Sequence, residues 1–338
     1  MTMKFEKYLD KYAELIMKVG LNYKEGSRIR IGALPGRTAR FFTPLEAAPL
    51  VRELTAKAYQ MGAPLVEVFW GDPELDLNRY KYAPKNSFQD VPTWSVNELI
   101  EAAKRKDARI YIGGTNPYKF KDIDSSLLSE MQKIRSETFR EANEFLVQNP
   151  TPWIIILYPT TDWAQAVFPD LSREGAVEKI SEFLIKFYRL DKDDPIAYWK
   201  EHFTSLNSRA DRLTENNYQY IHLKSSETDL KIGLPEGHEW KTAVLKDKEG
   251  RENVVNMPSE EVFTVPDRMV VDGYVSSTKP FTMGDGFVEG LYLEFKDGKV
   301  TKAKAETGEA FLKKTLEVDE GSCRLGELAL VPNSSPIS

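Results

Sequence analysis

The sequence predicts an α/β fold in two parts: an N-terminal parallel α/β sheet domain over residues 1–212 and a β-rich (α+β) domain over residues 213–338. Three observations carry this reading. A chain of 338 residues exceeds the usual size of one core, and 41% hydrophobic residues are enough to fill two. Up to about Asp211, strand-like apolar runs alternate with amphipathic segments, the pattern of a parallel sheet covered by helices. After about Tyr218, strand follows strand. The sequence shows no internal repeat or low-complexity linker, so the boundary near residue 212 rests on that change of pattern alone.

Taken in order, Phe5, Tyr8, Leu9, Tyr12, Leu15, Ile16 and Val19 recur at helical spacing and predict a first helix ending near Gly20. Residues 28–33 alternate like a strand, Thr43-Pro44 and Gly62 bracket a helix, and residues 65–70 form a short apolar and aromatic strand. Ser95 and Glu98 have the spacing of a capping box ahead of the next helix. Residues 108–112 follow as a strand, 125–147 as one long helix and 153–158 as a buried strand. Residues 173–189 give an amphipathic helix, the acidic run from Asp191 to Asp194 a solvated turn, and Pro195 starts a helical stretch to about Asp211. In the second half Asp229, Asp272-Gly273 and Asp297-Gly298 are expected to mark turns. Residues 287–295 and 299–305 should be the arms of a hairpin about the last of these, and residues 308–316 the one convincing helix.

Composition excludes several classes of function. A net charge of -6, with both signs spread along the chain and no basic stripe beyond Lys104-Arg105-Lys106, argues against nucleic acid as a partner. The single cysteine, Cys323, rules out an intramolecular disulfide and an all-cysteine zinc site, fits a reducing compartment, and reads as a spectator thiol. The N-terminus is a charged amphipathic helix without a signal core, and no apolar run reaches the about 20 residues that cross a bilayer. A cytoplasmic protein without a membrane partner is expected.

Common catalytic signatures are missing: the sequence has no HExxH, GxSxG, Walker or CxxC motif. Gly284, Gly286 and Gly290 have the wrong spacing for a dinucleotide fingerprint and read as a turn. His202, His222 and His238 are not at metal-ligand spacing from one another, though His238 lies in a turn-rich segment from which it could reach a site. Two carboxylates stand out. Residues 325–331 form an apolar strand carrying Glu327, which alternation puts on the face of Leu325, Ala329 and Val331. A carboxylate on a buried face needs a metal, a basic side chain or a raised pKa; the alternative is an edge strand with that face in water. In the proline-fenced strand 258–266 successive side chains face opposite ways, and Glu261 shares a face with Phe263 and Val265. That makes Glu261 rather than Glu260 the better inward candidate, against an exposed rim with both glutamates partly solvated.

Six ordered segments together resemble the thermophilic metalloaminopeptidase family, of the aminopeptidase T and aminopeptidase S type. They are Tyr158-Pro159-Thr160, Val167-Phe168-Pro169-Asp170, Gly233-Leu234-Pro235-Glu236-Gly237-His238, Pro258-Ser259-Glu260-Glu261-Val262-Phe263-Thr264, Ser277-Thr278-Lys279-Pro280 and Leu325-Gly326-Glu327-Leu328-Ala329-Leu330-Val331-Pro332. The match is dense from about Trp153 onward and looser before it. The resemblance implies an exopeptidase that removes N-terminal residues from peptides with two adjacent divalent metals, zinc or cobalt, held in the β-rich domain, and it implies homodimers. It places two of the metal ligands on Glu261 and Glu327, in agreement with the facing argument. The family's other ligands, two histidines and an aspartate, and a nearby tyrosine lie beyond the segment that ends at Ser338. The resemblance therefore implies a chain truncated at the C-terminus, its metal-binding domain partial. The competing expectations are a catalytically inactive relic serving as a binding or dimerisation module and, less favoured for want of a phosphate motif, a nucleotide-binding α/β enzyme.

Overall fold

The computed structural model describes residues 3–33, 43–148, 150–283 and 285–336. Four parallel strands form the first sheet in the order Val66–Val68, Ile29–Ile31, Ala108–Gly113, Trp153–Leu157. Ile29, Ile31, Ile110, Ile112, Ile154 and Ile156 turn one way and are all buried. They meet Tyr12, Leu15 and Ile16 of the first helical segment and Leu50 and Leu54 of the helix Ala48–Gln60 in one apolar cluster. Arg30 and Arg109 pair in register on the opposite face. There Arg30 meets Glu67 of the next strand and Glu98 of the helix Trp94–Lys104.

A five-stranded antiparallel sheet follows, ordered Lys299–Lys304, Tyr292–Lys296, Val271–Ser276, Asp229–Gly233, Tyr220–Lys224. The α/β class with a parallel sheet first and antiparallel sheets later is as the sequence predicts. The helix Pro195–Asn216 runs between the two regions, and the large apolar cluster continues from Ile156 into Ile232, Trp240 and Val262.

Local expectations fail where one residue has a tertiary role. Asp229 opens a strand and Asp272-Gly273 lies inside one; Gly273 adopts φ +117°, and a Cβ there would sit 2.0 Å from the Asp229 carbonyl oxygen. This glycine admits a close strand rather than a turn. Asp297-Gly298 does turn a hairpin, both residues having positive φ (50° and 77°). The arm expected over residues 287–295 is instead two strands, Gly286–Val288 and Tyr292–Lys296, separated by Gly290 at φ +62°. Gly284 lies outside the described residues. The long helix expected over 125–147 is two helices, Ser125–Thr138 and Arg140–Gln148, divided at the buried Phe139. Ser95 caps nothing: it sits within the helix Trp94–Lys104, and its hydroxyl donates back to the Pro92 carbonyl at 2.6 Å.

Candidate functional site

The strand Val262–Thr264 pairs antiparallel with Leu328–Leu330, in the register Val262↔Leu330, Phe263↔Ala329, Thr264↔Leu328. On its other side Phe263 bridges Lys241. Glu261 precedes the first strand and Glu327 the second, so they stand at opposite ends of a three-pair ladder and on the same face. Burial raises the Glu261 pKa first, and the charge of Glu327 raises it further. The structure thus puts the two carboxylates singled out by sequence on one face of the strand pair, at its two ends.

The facing argument for each is overturned. Glu260, Val262 and Thr264 are the buried phase, while Glu261 is half-buried and Val265 exposed. A strand with adjacent glutamates fits either phase, and a buried cation decides: Arg189 forms an ion pair with Glu260. Arg189 itself lies over Trp199, 4.4 Å from the ring centroid, and over Tyr198. In the partner strand Leu328 is buried while Glu327, Ala329 and Val331 are exposed, as in an edge strand with that face in water. Residues 325, 329 and 331 are as apolar as 328 and 330, so alternation could not choose between them.

The histidines are apart from this face. His202 bonds through Nε2 to the Ser259 carbonyl at 3.0 Å and lies 3.6 Å from Glu260; burial lowers its pKa first, against the opposing pull of Glu260. His222 meets Asp229 at 2.7 Å on the exposed edge strand. His238 is buried, with Nδ1 on the Pro235 carbonyl and Nε2 without a hydrogen-bond partner among the described residues. Among the described residues no three His, Cys, Asp or Glu side chains are placed to hold one metal ion. Glu261 and Glu327 fit a metal as two carboxylate donors and no more. Sequence reasoning missed Glu260 and Arg189; the signal was the adjacency of the two glutamates, with an arginine as the last residue of a predicted helix.

Comparison with known proteins gives the class: the chain belongs to the thermophilic metalloprotease family M29, whose model matches residues 5–338. Within it, the chain is 36% identical to aminopeptidase T of Thermus thermophilus over 334 residues, which cover 99% of this chain and 79% of that protein. It is likewise 36% identical to aminopeptidase AmpS of Bacillus subtilis and to aminopeptidase 2 of Geobacillus stearothermophilus, with the same coverage. The solved structure of wild-type AmpT from Thermus thermophilus superposes with a TM-score of 0.87 at 35% identity, covering 98% of this chain and 80% of that one. The family expected from the six segments is therefore the family found.

Proposed function

We propose that this protein is a metal-dependent aminopeptidase that removes N-terminal residues from peptides, with Glu261 and Glu327 as carboxylate ligands of two divalent ions, zinc or cobalt. The observation that carries the reading is the near full-length match to a metalloprotease family with relatives named aminopeptidases, joined to the placement of these two glutamates on one face of the strand pair. Two like charges on one face, the one raising the pKa of the other after burial, form a place where bound cations relieve repulsion. A bound metal pair polarises a scissile carbonyl and lowers the pKa of water. The protein's own contribution is positional: Arg189 draws Glu260 into the core, and that fixes the phase in which Glu261 turns outward. Two glutamates are a partial set, since a catalytic zinc takes about three protein ligands. The reading extends to a cytoplasmic homodimer acting on peptides. Among the described residues no helix is long and apolar enough to cross a membrane.

Hydrolysis of leucine p-nitroanilide by the purified protein with added cobalt or zinc tests it, beside Glu261→Gln and Glu327→Gln. The expected result is metal-dependent activity lost in both folded variants. Activity that survives a chelator or either substitution would overturn the ligand assignment. A folded parent that neither binds metal nor hydrolyses the substrate would favour a non-catalytic binding or dimerisation module.

A further inference from the structure

The residues ahead of the strand Trp153–Leu157, the end of the helix Trp94–Lys104 and the turn joining the strands Val244–Lys246 and Glu252–Val254 enclose a cavity of about 200 Å³. Two polar side chains in its lining are short of partners. Thr151, held between Pro150 and Pro152, is 4% exposed, and its Oγ1 meets no hydrogen-bond partner among the described residues. A buried hydroxyl in that state is a cost to the fold that a ligand relieves. Arg251 is fixed by one edge only. Its Nε donates to Asp247 Oδ2 at 2.9 Å, its side chain is 20% exposed, and no hydrogen bond among the described residues engages either terminal amino group.

The turn that carries Arg251 is held by its own sequence. Asp247 Oδ1 accepts from the amides of Glu249 at 3.0 Å and Arg251 at 2.8 Å, and Gly250 takes φ +77°. Together with the Arg251 bond, these occupy both oxygens of the Asp247 carboxylate. The other charges nearby are paired: Lys104 with Glu101, Lys106 with Glu249, and the buried Asp107 with Arg105. The carbonyls that end the helix are turned to their own chain, those of Glu101, Ala102 and Ala103 accepting from the amides of Arg105, Asp107 and Lys106. Behind the lining, Arg109 gives its amide to the Pro152 carbonyl at 3.0 Å. Its guanidinium is buried, with Nη1 on the neutral Tyr111 hydroxyl at 3.3 Å and Nε without a partner among the described residues, which adds positive charge to this end of the sheet.

We propose that this cavity binds a small phosphate monoester, with the phosphate on Arg251 and Thr151 and its carbon group against Ala103, Phe145, Pro150 and Pro152. The match is one of donors: the two terminal nitrogens of Arg251 and the Thr151 hydroxyl face the three unesterified oxygens of a monoester. A carboxylate would satisfy the arginine fork and leave Thr151 unmet. Asn149, the undescribed residue of this stretch, carries no charge. Neither Glu261 nor Glu327 lines the cavity, so the site is additional to the one proposed for metal, and no bond is made or broken in it.

Calorimetric titration of the whole protein with ethyl phosphate, inorganic phosphate and propionate tests this, beside Thr151→Val and Arg251→Met. Ethyl phosphate should bind at least about tenfold more tightly than propionate, and no more weakly than inorganic phosphate, because its carbon group has a wall to meet. Thr151→Val removes the unmet hydroxyl and should melt no lower than the parent, yet bind ethyl phosphate about tenfold more weakly. Arg251→Met should lose more, since the fork goes with the charge. Propionate bound as tightly as ethyl phosphate, inorganic phosphate bound more tightly than the ester, an unchanged affinity in folded Thr151→Val, or no binding to the parent at millimolar concentration would overturn the proposal. Should Arg251→Met fail to fold, Thr151→Val answers alone. Phosphate held by a metal elsewhere on the protein would be indifferent to Thr151→Val, so this result and the aminopeptidase reading can fail separately.

Discussion

Replacing Arg189 by Met strips the cation from a carboxylate that lies inside the core. The side chains of Arg189 and Glu260 are 6% and 3% exposed, so water does not screen their attraction or rehydrate the survivor. Removing one partner of a buried pair costs about 3–5 kcal/mol, most of it the uncompensated charge left behind. His202 also lies 3.6 Å from Glu260, but it is bonded to the Ser259 carbonyl and burial lowers its pKa first. Methionine retains part of the packing on Trp199 but forfeits the cation–π contact, so the expected loss is about 4 kcal/mol. In the double variant Arg189→Met/Glu260→Met no charge is stranded, and much of that loss should be recovered. Urea unfolding of the parent, both single variants and the double variant, followed by circular dichroism, measures the cycle. A single-variant loss below about 1 kcal/mol, or a double variant no more stable than Arg189→Met, would refute the assignment of Glu260 as a core charge held by Arg189.

Asp76 has its pKa raised to about 6, above the unfolded 3.8, mainly by burial, with the charge of Asp285 adding and Arg135 opposing. Its folded form thus favours the proton, and the stability this gives is full below pH 3.8 and lost as pH rises through about 6. Asp76→Asn should therefore be more stable than the parent at pH 7.5 by up to about 3 kcal/mol, with no such gain at pH 4; unfolding curves at the two pH values with the same difference would contradict this. Gly114→Ala combines a left-handed φ with a backbone clash and should cost more than about 2 kcal/mol, whereas Gly26→Ala, in open space at φ +84°, should cost about 1 kcal/mol; equal melting temperatures would count against the close approach. Tyr188 donates to the Met257 carbonyl at 2.6 Å and accepts from the Leu157 amide at 2.8 Å. Tyr188→Phe leaves the buried Met257 carbonyl and the half-buried Leu157 amide unmet, for a loss of about 2–3 kcal/mol and faster hydrogen exchange at Leu157.

How much of this was legible varies with the range of the interaction that decides it. Helices and strands over the first half were readable because their signals, apolar periodicity and proline or glycine punctuation, act within a few residues. Asp297-Gly298 was readable as a hairpin for the same reason, its two positive φ values being a local demand. Gly273 carried a similar local signal but answers to Asp229, 44 residues away in sequence, so its role inside a strand could not be seen. Glu261 and Glu327 could be picked out as carboxylates in apolar strands, and six ordered segments were enough to indicate the family. Which face each glutamate takes was not in the local pattern, because both phases of each strand carry apolar residues. The tertiary structure alone settled that, by placing the Arg189 guanidinium where only Glu260 could neutralise it. The cost of an unpaired buried charge exceeds the preference of a few apolar side chains for one phase over the other.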